Sequence, residues 1–142
     1  DVVAAIGLKQ FERYPEMLKR RREIIARYDA ALKPLGVKVL PHYTSEHESS
    51  GHLYITEIPN ITYEQRGEII TKMAERDIAC NVHYKPLPMH TAYKELGFDI
   101  KDYPNAYNHF AHEITLPLHT CLTDEQVQYV IDNFVDILRE YL

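Results

Sequence analysis

The densest run of chemically capable side chains is His83-Tyr84-Lys85-Pro86-Leu87-Pro88-Met89-His90. Imidazole, phenol and ammonium groups together can hydrogen-bond a phosphate or a sugar hydroxyl, and histidine changes charge near neutral pH. The two prolines exclude a helix and hold the segment extended. Rigid loops at strand ends often carry ligand-contacting side chains. The same prolines could simply turn the chain while Tyr84 packs in the core, and residue types alone leave both readings open.

Other chemistry is less well supported. His109 and His112, three apart on an expected helix, would put two imidazoles on one face. No HExxH motif accompanies them, and no carboxylate or cysteine stands at a recognised ligand interval, so no metal is expected. Cys80 and Cys121 form no CxxC pair, and their apolar strand and post-strand contexts read as buried, inert thiols. The five glycines are dispersed, and neither a G-x-S-x-G elbow nor a phosphate loop occurs. No residue is therefore assigned a catalytic or cofactor-binding role.

The elements that must position these groups fit into one domain, the natural reading of 142 residues. A net charge of −5 argues against a nucleic-acid partner. The exception, Lys19-Arg20-Arg21-Arg22, reads as the mostly solvated first half of a helix. No apolar run approaches the length of a membrane span. With no secretory leader at Asp1-Val2-Val3 and no disulfide framework, a cytoplasmic setting and a trimmed chain are expected.

Ala4, Ala5, Ile6, Leu8 and Phe11 predict a short helix ending near Tyr14-Pro15. Leu18, Ile24, Ile25, Tyr28 and Leu32 predict a second one, stopped by Pro34-Leu35-Gly36. Strands are expected over residues 37–40, 52–58, 78–83 and 114–117, with residues 41–51 polar and turn-rich and the run 44–50 an exposed loop, the most mobile segment. Thr62 with Gln65, and Thr123 with Gln126, are capping-box signatures opening helices. Short helices over 91–96, closed by Gly97, and from Pro104 to about Glu113 lie between. The fold class is α/β (α+β), a short three- to four-stranded sheet with helices packed on it.

Five segments in register carry a resemblance across essentially the whole chain. Ala4-Ala5-Ile6-Gly7 with Gln10-Phe11 is similar to an AAIG-x-x-Q-L segment, and Arg20-Arg21-Arg22 through Tyr28 to an RRR-x-x-A-x-x-Y helix. His52-Leu53-Tyr54, His83-Tyr84 with Pro86-Leu87, and Leu116-Pro117-Leu118-His119 are similar to HLY, HY-x-PL and LPLH elements. Together they resemble the DegT/DnrJ/StrS-type sugar aminotransferases, fold-type I enzymes dependent on pyridoxal phosphate. Pro88 stands where most members carry a second histidine, and Gly51 where an aromatic often precedes HLY.

The resemblance implies a small C-terminal domain over residues 15–142, with residues 1–14 a helix at the edge of a missing large domain. The parent enzyme would be a homodimer moving an amino group from glutamate onto a keto sugar carried on a nucleotide. It would use pyridoxal phosphate on a lysine upstream of the AAIG segment. This chain, starting inside that segment, would then be inactive alone and bind no cofactor. His83, Tyr84, His52 and His119 are the substrate-side candidates that the resemblance supplies. The alternative is an autonomous small-ligand-binding or interaction domain.

Overall fold

The computed structural model describes residues 1–142. The two helices expected on either side of Pro15 are one, α1, spanning Val2–Leu32 with the proline inside it. Proline removes one N–H donor, orphaning the carbonyl of Phe11, and residues 1–16 are exposed throughout, so water can serve that carbonyl. Beyond this stretch the helix becomes one-sided, burying Ile24, Ile25, Tyr28 and Leu32.

The basic run is not simply solvated. Arg20 donates to Asp124 at 2.8 Å and to the Leu122 carbonyl at 2.6 Å, Arg21 to the Ser50 carbonyl at 3.2 Å, and Arg22 to Glu48 at 2.5 Å. Consecutive helical residues sweep round the axis, and here neighbouring elements meet three of the four. Arg27 joins Arg20 on Asp124 at 3.1 Å. The Arg20 guanidinium holds that carboxyl below its usual range, so this link favours folding above the ordinary carboxylate range and is lost as pH falls through the lowered value.

Helix α2, Tyr63–Ala74, and helix α5, Asp124–Leu138, both open with complete capping boxes. Thr62 accepts from the Gln65 amide while the Gln65 side chain accepts from the Thr62 amide, and Thr123 and Gln126 repeat the arrangement. Between α2 and α5 lie two short helices, α3 (Thr91–Glu95) and α4 (Pro104–His112). Gly97 follows α3 with φ +90°, the left-handed conformation that ends such a turn.

The sheet has three antiparallel strands in the order β1 (Lys38–Val39), β2 (Tyr54–Glu57), β3 (Glu113–Leu116). Its inner face and the buried stripes of α1, α2 and α5 enclose one core, with Tyr28, Tyr54, Met73, Ile114 and Phe134 fully buried. Both core tyrosines keep a hydroxyl partner: Tyr28 donates to the Pro117 carbonyl and Tyr54 to Asp29, each at 2.8 Å.

One further expectation needs correction. Residues 78–83 are not a strand; only Asn81 pairs, in an isolated bridge to Thr115. Its side chain accepts the next amide, that of Val82, at 2.8 Å, and the His83 amide goes to a carboxylate, so no donor remains to extend the ladder. Residues 44–50 are the exposed loop expected, with only Ser49 half-buried, and the turn is tied at its flanks. Tyr43 bridges Glu48, the Ser49 amide donates to the His42 carbonyl at 2.7 Å, and His42 is buried against Tyr54.

Gly51 ends this turn with φ +60°, where a Cβ would lie 2.9 Å from Ile25 Cδ1 and 3.2 Å from Arg21 Cβ. Gly51→Ala is expected to cost about 2 kcal/mol, combining the left-handed backbone with overpacking against α1. The urea midpoint should fall while the slope is kept; an unchanged midpoint contradicts the packing described.

Candidate functional site

Alternate residues of a strand face opposite sides of the sheet, and the register pairs Tyr54 with Leu116 and Thr56 with Ile114 on the core face. Thr115 and Glu113 therefore point the other way. Alternation predicts that such groups meet water, yet Glu113 is 0% and Thr115 5% exposed. The segment after Asn81 covers them. Asn81 exchanges both backbone hydrogen bonds with Thr115, at 3.1 and 2.8 Å, which fixes the height of His83 two residues later on the same side.

Three hydrogen bonds then converge. The His83 backbone N–H donates to Glu113 Oε2 at 2.8 Å, the Thr115 hydroxyl donates to Glu113 Oε1 in a short bond, and His83 Nδ1 lies 2.8 Å from Thr115 Oγ1. Each carboxylate oxygen thus accepts from a fixed dipole, which compensates a charge removed from water. His83 is half-buried. Tyr84, expected either in the core or at a ligand, is 73% exposed with its ring edge-on to His83 at 4.7 Å. Beside it Pro86, Leu87, Pro88, Tyr93, Phe98 and Tyr103 line an open apolar groove.

The four candidate residues do not gather at one point. His83 and Tyr84 lie over the Glu113–Thr115 side of β3. His52, two residues before Tyr54, and His119, three residues after Leu116, lie at the other end of the sheet, because Tyr54 and Leu116 are paired. Both are exposed. His119 borders a shallow hollow with Ile78, Pro117, Leu122 and Tyr129.

Glu113 and Thr115 were not among the residues singled out from sequence. The signal available was strict alternation, Glu113-Ile114-Thr115-Leu116, starting one residue earlier than the expected strand. His109 Nδ1 sits 3.5 Å from Glu57, which also binds Lys38 at 3.0 Å, and no three histidine, cysteine or acidic side chains gather closely enough to hold a metal ion.

The two thiols differ. Burial pushes the Cys80 thiol up to about 12, with the Glu113 charge adding to the effect. Cys121, expected to be buried, is exposed, because Leu122 takes the inward position in the turn after β3.

Comparison with known proteins adds context to this geometry. The model of the DegT/DnrJ/EryC1/StrS aminotransferase family matches residues 1–135. The spore coat polysaccharide biosynthesis protein SpsC of Bacillus subtilis is 33% identical over 98% of this chain and 36% of its own length. A dTDP-4-dehydro-2,3,6-trideoxy-D-glucose 4-aminotransferase of Saccharopolyspora spinosa is 32% identical over 100% of the chain and 35% of its own. Spr1654 from Streptococcus pneumoniae, solved in a PLP-form, superposes with a TM-score of 0.95 at 49% identity, covering 100% of this chain and 36% of that one. The chain thus spans about a third of the length of the relatives it matches.

Iodoacetamide at about pH 8 should alkylate Cys121 in the folded protein well before half-buried Cys80, whose raised thiol leaves little thiolate, and denaturation should make the two comparable. Peptide mass mapping reads both sites. Equal labelling of the two cysteines in the native protein contradicts the burial of Cys80.

Proposed function

Because the chain belongs to the DegT/DnrJ/EryC1/StrS aminotransferase family, we propose that it is the C-terminal small domain of a pyridoxal-phosphate-dependent nucleotide-sugar aminotransferase. The parent enzyme transfers an amino group from glutamate to a keto sugar carried on a nucleotide. The observation that carries this reading is the end-to-end superposition on Spr1654 in its PLP-form, at a TM-score of 0.95 and 49% identity. The name of the Saccharopolyspora spinosa relative supports a nucleotide-linked keto sugar as the substrate class. The alternative of an autonomous binding domain has less support, since relatives matching nearly the whole chain are close to three times as long.

The residues present do not by themselves fit the cofactor. A lysine that forms an imine with pyridoxal phosphate must give up its proton, which burial in an apolar pocket or a second cation favours. Seven of the eight lysines are exposed. The eighth, Lys72, lies 2.6 Å from Glu140, and that pairing holds its ammonium above the usual range. We place the cofactor lysine and the phosphate-binding groups in the remainder of the parent enzyme.

In this reading residues 1–14 pack on that larger domain. Val2, Val3, Ile6, Leu8 and Phe11 are all exposed, an apolar surface with no neighbour within the chain. Residues 15–142 form the small domain, which closes over an active site at a homodimer interface in the cytoplasm. His83 and Tyr84 face the substrate from one end of the sheet, and His52 and His119 from the other. No helix is long and apolar enough to cross a membrane.

Incubation of this chain with pyridoxal phosphate followed by borohydride should leave no specific lysine adduct, whereas the intact enzyme should be reduced onto one lysine outside these residues. Mass spectrometry of the digested products reads the outcome. A stable adduct on a single lysine of this chain overturns the assignment.

A further inference from the structure

Counting protons across the buried network gives His83 a defined chemical polarity. Thr115 has one hydroxyl proton, and its short hydrogen bond to Glu113 Oε1 uses it. The other carboxylate oxygen is occupied by the His83 backbone N–H. At the remaining contact, 2.8 Å from Thr115 Oγ1 to His83 Nδ1, the hydroxyl oxygen can only accept. Nδ1 must therefore carry the imidazole proton, and in the neutral ring Nε2 is left as a bare acceptor. Second partners that fix a histidine tautomer in this way also fix the orientation of its ring.

We infer that Glu113 and Thr115 are positioning residues that hold His83 as the Nδ1–H tautomer, so that Nε2 accepts a hydrogen bond from a sugar hydroxyl of the substrate. The choice of hydroxyl follows from polarity: a diphosphate offers acceptors only and has nothing to give a bare Nε2, whereas the sugar ring offers donors. This inference rests on the proposed reading that His83 faces the substrate cleft. Glu113 and Thr115 are buried beneath His83 and act only through it.

The test uses the intact enzyme, labelled with 15N in histidine and observed at about pH 8, where an ordinary imidazole is neutral. His83→Gln identifies the signal. Two-bond nitrogen–proton correlations should show protonated Nδ1 and bare Nε2 in the wild type, loss of that preference in Thr115→Val, and its return in Thr115→Ser. An Nε2–H tautomer in the wild type overturns the relay, and that spectrum decides the matter even where the valine variant fails to fold. Persistence of Nδ1–H in a folded Thr115→Val overturns it as well.

Kinetics separate the relay from the cleft reading. His83→Leu, which carries no acceptor, should raise KM for the keto-sugar nucleotide about tenfold with kcat little changed, as expected for one lost ground-state hydrogen bond. The variant should leave KM unaltered for the analogue lacking the contacted hydroxyl. An unchanged KM for every substrate alongside the Nδ1–H tautomer overturns the hydroxyl assignment and the cleft placement of His83, while the relay itself stands.

Discussion

A carboxylate with no exposed surface has to be hydrogen-bonded where it lies, because leaving a buried charge unpaired costs several kcal/mol. Glu113 imposes that requirement on everything around β3. Its two oxygens draw in the Thr115 hydroxyl and the His83 amide, and those two bonds determine what the neighbouring segment can be. Residues 78–83 have the composition of a strand, but with the His83 amide taken by a side chain the ladder ends after one pair at Asn81. The chain then leaves the sheet at Tyr84, and the proline-bearing segment begins from a fixed point. One satisfied charge thus converts a would-be strand into the base of a polar loop.

The rest of the fold brings β3 to where this can happen. α1 and α5 are joined by apolar packing and by Arg20 and Arg27 on Asp124, at the first turn of a helix whose start is set by its own capping box. α2 and α5 cover the core face of the sheet through Ile69, Met73 and Phe134. With that face closed, Ile114 and Leu116 are committed inward and Glu113 and Thr115 are committed to the opposite side. The exposed first half of α1 contributes nothing to this core.

Features set by short-range bonds were legible in the sequence. Both capping boxes are four-residue patterns whose donors and acceptors lie three apart in the chain, and the α5 stripe from Val127 to Leu138 is helical periodicity alone. What failed depended on distant partners. Pro15 was read as a break because its effect turns on whether the Phe11 carbonyl can reach water, a matter of exposure. Residues 44–50 are exposed as their polarity implies, but the pairing of His42 with Ser49 across the turn, through both backbone and side chain, left no local signal. At the candidate site His83 and Tyr84 stood out by type, but Glu113 read as a helix end, since no local pattern shows that a segment thirty residues away will cover it.

The central claim is that Glu113 fixes the His83 segment, and amide hydrogen exchange tests it most directly. In the wild type the His83 amide should be protected roughly hundredfold or more over a free peptide, as expected for a buried hydrogen-bonded amide. In Glu113→Met that protection should fall by at least about tenfold, because the thioether offers no strong acceptor for the amide. The Ile58 amide, bonded to the His112 carbonyl at 3.0 Å, should keep its protection in the same variant. A His83 amide exchanging freely in the wild type, or equally protected in Glu113→Met, would contradict the account.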